Sequence, residues 1–305
     1  MKRSVLFILL AATLCLVAFP ASAQTEAAAN EAMGSLRIDR DPVLQSMAGA
    51  GFAMTSTSQA YAAFGNPAAA AFSPKKLEAG LSYGSWSPHY TSGENLSAGV
   101  TGHVKENVAL SLGFSRIGYP GLDAEPSSAF KPSDLVIRAG VGFGISESFA
   151  LGLTAGYAKE ALLSDYSLSA FSMSALVQFH MEGLNVVGGV VHLGGKVADK
   201  YPLPASAKLA TDYEIQFGGG NLHIAVDGDY YFSGNYSVAL GLNCGIGGIG
   251  FVRGGYRIAS ESAAIPSGLG LGAGVAWHGL SLDVSYLTAS ETLGGSWMAG
   301  LGYRF

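Results

Sequence analysis

Two glycine-framed stretches have spacings that elsewhere carry chemistry. Gly245-Ile246-Gly247-Gly248-Ile249-Gly250 has the spacing of a dinucleotide-binding turn. That turn cradles a pyrophosphate only when a strand precedes it and a helix follows. Here both flanks are short β patterns, so the stretch reads as a Gly-rich turn. Gly80-Leu81-Ser82-Tyr83-Gly84 has the spacing of a nucleophile elbow. A nucleophile elbow sits at a strand-to-helix turn, whereas these residues lie inside an alternating segment. His89, His103, His180, His192, His223 and His278 are scattered without ligand spacing, so no metal or cofactor is expected. What remains is a set of polar residues on one face of alternating segments: Glu78, His103, Arg138, His223, Asp227, Asp229, Asn243, Arg253, Arg257, Asp283 and Arg304. Charges of both signs in one interior either pair and fix register or line a polar constriction. Pairing is the reading favoured here. His103, Asp227 and Asp283 are a trio that could meet there.

The elements that must hold these residues follow from period-2 patterning, which runs from about residue 76. Val108, Leu110, Leu112 and Phe114 alternate with Ala109, Ser111, Gly113 and Ser115. Phe149, Leu151, Leu153, Ala155 and Tyr157 alternate with Ala150, Gly152, Thr154 and Gly156. Leu269 to Trp277 and Leu280 to Tyr286 repeat the pattern. Successive strand side chains point to opposite faces, so each segment has one bulky apolar face and one small or polar face.

The first residues set the compartment. Lys2 and Arg3 precede an apolar run over residues 5–19, and Ala21-Ser22-Ala23 is a small-x-small cleavage site. Residues 1–23 therefore read as a secretory signal peptide, with Gln24 as the mature start. Cleavage removes Cys15 and leaves Cys244 alone, read as a buried small residue rather than a reactive thiol. It also removes two positive charges, Lys2 and Arg3, so the formal net charge moves from −5 to −7. That acidity argues against nucleic acid as a partner.

The chain is 49% hydrophobic and only 13% charged, yet no apolar run after residue 23 reaches the roughly 18 residues of a spanning helix. In lipid only helices and closed barrels satisfy the backbone. A soluble β-sandwich is the alternative, but its outer face would carry more charge than the Gly, Ala, Ser and Thr found here. Aromatics gather near segment ends: Tyr83, Tyr157, Tyr230, Tyr236, Tyr256, Trp277, Tyr286, Trp297 and Tyr303. They have the placing of interfacial girdles. The expected fold is all-β: a single transmembrane antiparallel barrel over residues 76–305, in a bacterial outer membrane.

Fourteen segments begin near residues 76, 95, 107, 134, 148, 167, 183, 205, 221, 235, 248, 267, 279 and 295. Tight links alternate with longer polar ones, as periplasmic turns and outer loops do. Ser233-Gly234 is the exception, short where a long loop is due. The segment at 205–217 is weakly patterned, which leaves twelve strands as an alternative. Trp297, Ala299, Leu301, Tyr303 and Phe305 end the chain on one face. With Tyr303 and Phe305 last, this reads as the signal by which barrel-assembly machinery recognises its substrates.

A cylinder of this size is wider than its own side chains can fill. Residues 24–75 are the expected hatch inside it. Ser46-Met47-Ala48-Gly49-Ala50-Gly51, then Ala60-Tyr61-Ala62-Ala63-Phe64-Gly65-Asn66-Pro67-Ala68, resembles the N-terminal signature of the PorV/PorQ family within the FadL-like barrels. Leu203-Pro204, Ala210-Thr211-Asp212-Tyr213, Ile224-Ala225-Val226-Asp227, Phe251-Val252-Arg253-Gly254-Gly255-Tyr256 and Leu282-Asp283-Val284-Ser285-Tyr286 continue the family's order. So do Leu269 to Val275 and the closing Gly302-Tyr303-Arg304-Phe305. The resemblance implies that Asn66, Pro67 and Ala68 belong to an inward-folded hatch. It also implies a non-enzymatic role accessory to type IX secretion, handling cargo beside other secretion-machine components. The outer loops are short for a transporter that captures ligand at the cell surface. The alternative function is a FadL-like channel for hydrophobic small molecules. That reading needs a greasy pocket between hatch and wall and a lateral opening, for which Gly188-Gly189 is the candidate kink. An outer-membrane hydrolase is disfavoured, because no serine stands in a nucleophile turn. The expected partners are outer-membrane lipid, the assembly machinery, and either secretion components or a hydrophobic ligand.

Overall fold

The computed structural model describes residues 31–87, 92–120, 130–260, 263, 265–288 and 295–305. The expected signal peptide, residues 1–23, and residues 24–30 lie outside the described residues. Fourteen strands follow one another: β1 Leu77–Trp86, β2 Gly93–Lys105, β3 Val108–Gly118, β4 Ser133–Gly144, β5 Phe149–Ala161, β6 Ser167–Met181, β7 Leu184–Gly194, β8 Ser206–Phe217, β9 Gly220–Tyr231, β10 Tyr236–Ile246, β11 Gly250–Ala259, β12 Gly268–Trp277, β13 Leu280–Leu287 and β14 Ser296–Arg304. Each pairs antiparallel with its sequence neighbours, and β14 closes on β1 from Glu78↔Arg304 to Ser85↔Trp297. The weakly patterned segment is a full strand, β8, so the count is fourteen rather than twelve. Gly80 to Gly84 lie inside β1, and Gly245 to Gly250 form the β10–β11 turn. Gly247 and Gly248 there both have positive φ, the left-handed backbone that tight hairpins require.

The alternation sets the orientation. Leu112 is 59% exposed on the outer surface while Ser111 is 3% exposed inside. Leu153, Leu282, Val284 and Leu301 also face outward; Ser97, Ser115, Gln178 and Asp212 face inward. A bulky apolar outer face with a polar interior suits a cylinder set in acyl chains and would be costly in water. Exposed aromatics form two belts: Phe143, Phe149, Phe217, Trp277 and Tyr303 at the short-turn end, and Tyr83, Tyr230, Tyr256, Tyr286 and Trp297 at the other. No helix among the described residues is long and apolar enough to cross a membrane. Cys244 is half-buried on the outward-facing series of β10, not fully buried as expected from sequence, because its strand neighbours Leu242 and Ile246 also face out.

The segment before β1 fills the lumen. It contains a 3-10 turn at Gly34–Arg37 and two short helices, α1 Pro42–Ser46 and α2 Pro67–Ala70. Each helix starts with Pro at its first turn behind an Asx cap: the Asp41 carboxylate accepts the Val43 N–H, and the Asn66 Oδ1 accepts the Ala68 and Ala69 N–H groups. Small residues let this backbone touch the wall. A side chain at Gly99 would strike the Ala60 carbonyl, and one at Gly255 would strike the Met47 carbonyl. Much of the inward-facing glycine of the barrel therefore marks where the plug approaches.

Candidate functional site between plug and wall

Inward-facing side chains hold the plug from several sides. Asp227 on β9 accepts the N–H groups of Gly51 (3.0 Å) and Phe52 (3.2 Å). Gln178 on β6 donates to the Ala53 carbonyl (2.9 Å) and accepts from Asn66 Nδ2 (2.5 Å). Asn66 thereby caps α2 and ties it to the wall; Pro67 and Ala68 follow in the helix, fully buried. Glu78 on β1 accepts from Gln59 N (2.9 Å) and Ser73 Oγ (2.6 Å) and lies 3.0 Å from Arg304 Nε. Arg257 on β11 donates to the Ala48 carbonyl and pairs with Asp39.

The remaining lumen charges mostly pair with each other. Arg253 meets Asp283 at 2.7 Å and Asn243 at 3.2 Å. Lys208, not singled out in the sequence, bridges Asp229 (2.7 Å) and Asp227 (3.8 Å). His103, Asp227 and Asp283 do not meet. His103 bonds the Lys75 carbonyl, and the two aspartates are held by different cations. Arg138 differs from the rest. It is 2% exposed and has no carboxylate in ion-pair range among the described residues. Its donors go to Thr154, Ser174, Ser172 and the His192 ring. Tyr303 on the last strand and Phe305 just beyond it are exposed, with the Phe305 backbone bonded to Leu77 and Lys76.

Burial shifts two plug groups. It lowers the Arg40 guanidinium to about 10, against the pull of Asp39 and Asp134. It raises the Asp41 carboxyl to about 7, opposed by its hydrogen bond from Val43 N–H.

A cavity of about 140 Å³ remains between plug and wall. Phe52, Tyr61, Phe64 and Val191 give it apolar walls; Arg37, Arg40, His192 and Lys208 give it polar ones. Next to it the wall is irregular. The β6–β7 register shifts between Met173 and Ala175, and Val191 and His192 stand opposite Ser174. His192 has φ of 56°, and its N–H bonds Ser174 Oγ at 3.2 Å. This is a β-bulge, the device that bends a strand at a barrel wall. It falls two residues past Gly188-Gly189, the expected kink. On the membrane side of the bulge lies a depression of about 710 Å³, with Leu110, Val141, Leu153, Met173 and Leu193 around small Ala139, Ala155 and Ala175. Ser174 borders both the inner cavity and this outer depression.

The chain is a closed fourteen-strand transmembrane barrel around an N-terminal plug, a fold it shares with solved outer-membrane barrels. Several solved structures are similar in fold. The toluene transporter TodX of Pseudomonas putida aligns with a TM-score of 0.57 at 11% identity, over 86% of this chain and 97% of its own. A Pseudomonas aeruginosa FadL homologue gives 0.54 at 13% identity, over 87% and 98%. The monoaromatic hydrocarbon channel CymD gives 0.57 at 13% identity, over 86% and 96%. No protein-family model and no curated protein matches the sequence.

Proposed function

We propose that the protein is an outer-membrane channel for small hydrophobic molecules, passing them between its lumen and the lipid beside the β6–β7 bulge. The observation that carries this reading is the position of Ser174 in the wall at the bulge, bordering both an internal cavity and an apolar hollow on the membrane face. The cavity is of one-ring size; apolar cavities near 150 Å³ hold benzene. Its polar side, from Arg37 to Lys208, favours a ring bearing a polar substituent over a bare hydrocarbon. The fold it shares with barrels described as toluene and monoaromatic hydrocarbon channels supports the same reading. This reverses the order suggested by the PorV/PorQ resemblance, which rests on short motifs alone. The hatch role of Asn66, Pro67 and Ala68, the assembly signal at Tyr303 and Phe305, and export by the signal peptide complete the proposal.

The test is uptake of a monoaromatic probe such as toluene into vesicles holding the full mature protein. Uptake above empty vesicles, abolished by Ser174→Trp in a normally folded barrel, is the expected result. Uptake equal to empty vesicles, with secretion components co-purifying, would favour the accessory role instead.

A further inference from the structure

At the short-turn end of the lumen, three side chains from three separate parts of the chain stand in line. Ser56 lies on an exposed bend of the plug, His223 faces inward from β9, and Asp212 faces inward from β8. Ser56 Oγ is 3.1 Å from His223 Nε2. The other ring nitrogen, Nδ1, is 3.0 Å from Asp212 Oδ1. Asp212 is fully buried and His223 is 2% exposed. Asn185, directly across from Asp212 on β7, donates to Asp212 Oδ2 at 3.0 Å. His180 in turn meets Asn185 Oδ1 at 2.7 Å.

The order of these contacts fixes the ring's tautomer. An ionised carboxylate only accepts, so Asp212 holds the proton on Nδ1 and leaves a lone pair on Nε2. Ser56 Oγ faces that lone pair at 3.1 Å, closer than Asn221 Nδ2 at 3.3 Å, with Glu214 Oε1 3.9 Å from the same nitrogen. It is the arrangement of a serine nucleophile, its general base and the acid that orients the base, recognised by geometry rather than by chain order. Plug anchoring alone does not account for it, since Arg304 Nη1 already holds this bend through the Ser56 carbonyl. A cavity of about 280 Å³ opens in front of the pair, with the inward-facing Phe251 on its apolar side. Arg304 borders the same cavity and places a cation near a developing oxyanion.

We infer that Ser56, His223 and Asp212 form a hydrolytic centre for short-chain carboxylic esters entering from the short-turn end. Ser56 Oγ bonds to the ester carbonyl carbon as its proton passes to His223 Nε2. The tetrahedral adduct collapses, the alkoxide leaves, and it takes that proton from Nε2. Water then attacks the acyl-serine, gives one proton to Nε2, and releases the carboxylic acid as Ser56 regains its hydrogen. Ser56 and His223 are the catalytic residues; Asp212 and Asn185 are positioning residues.

The experiment uses the full mature protein folded in detergent micelles, with heat-dependent gel migration as the folding check. A fluorophosphonate probe is expected to modify Ser56, found by peptide mass. Hydrolysis of 4-nitrophenyl butyrate is expected to fall at least ~100-fold in Ser56→Ala and His223→Gln. Asp212→Asn lowers kcat by a similar factor with KM unchanged, a split that a purely structural role would not produce. Because Ser56 is exposed, its alanine variant keeps the barrel even if the buried substitutions do not fold. A folded parent that leaves Ser56 unmodified, or a Ser56→Ala variant as fast as the parent, overturns the inference.

Discussion

The charges inside the lumen respond differently to substitution according to what each one touches. Arg253 and Asp283 form a close, largely buried pair with Asn243 on one side. Removing one partner leaves an uncompensated charge, so Asp283→Asn should cost about 3 kcal/mol, read as a lower urea midpoint for unfolding in vesicles. Arg138 has no carboxylate partner among the described residues and leans on hydroxyls instead, so Thr154→Val should cost about 1–3 kcal/mol by removing its close Oγ1 acceptor. Asp41 gives the molecule a pH dependence. Burial raises its carboxyl to about 7, with Asp283, Asp39 and Arg253 acting on it as well. A carboxyl raised above its unfolded value of about 4 holds a proton in the folded state that the unfolded chain has released. Its contribution is complete below about pH 4 and is lost as pH rises through about 7. Amide exchange of α1 should therefore quicken between pH 5.5 and 8. Asp41→Asn should flatten that profile while keeping the helix cap, since Asn caps as well as Asp.

Strands were legible in the sequence because period 2 leaves a direct mark: Leu112 out and Ser111 in, repeated around the cylinder. The plug's contacts were not, since they are backbone approaches that leave only a glycine on the wall strand. Gly99 and Gly255 read as weak strand residues until the Ala60 and Met47 carbonyls are seen against them. Gly255→Val should displace α1 and raise protease access to the plug while far-UV dichroism of the sheet stays unchanged. The bulge was missed by two residues for a related reason. Its left-handed residue is His192, not a glycine, and it is held there by Ser174 and Arg138. Ser56 carried no local signature at all. Its partners come from β8 and β9, and only the barrel's register brings them within reach.

For the whole molecule, the fold followed from composition and alternation together, because an apolar chain with no spanning helix among its described residues has one architecture open to it in lipid. The outward leucines should behave accordingly: Leu112→Arg should cost about 2–4 kcal/mol near the bilayer midplane and much less in a detergent micelle, measured by urea titration in both. The seam between β1 and β14 also governs how the protein is made. Gln45 of α1 accepts from Ser285 of β13, a contact spanning 240 residues, so the earliest-synthesised part finds its last neighbour only when the cylinder shuts. Until then Val43 and Met47, packed in the finished protein with Ala225 and Ala239, lack the closing strands beside them. A protease acting on nascent chains would therefore cut at α1 before closure and spare it afterwards, which makes this helix a built-in timer for biogenesis.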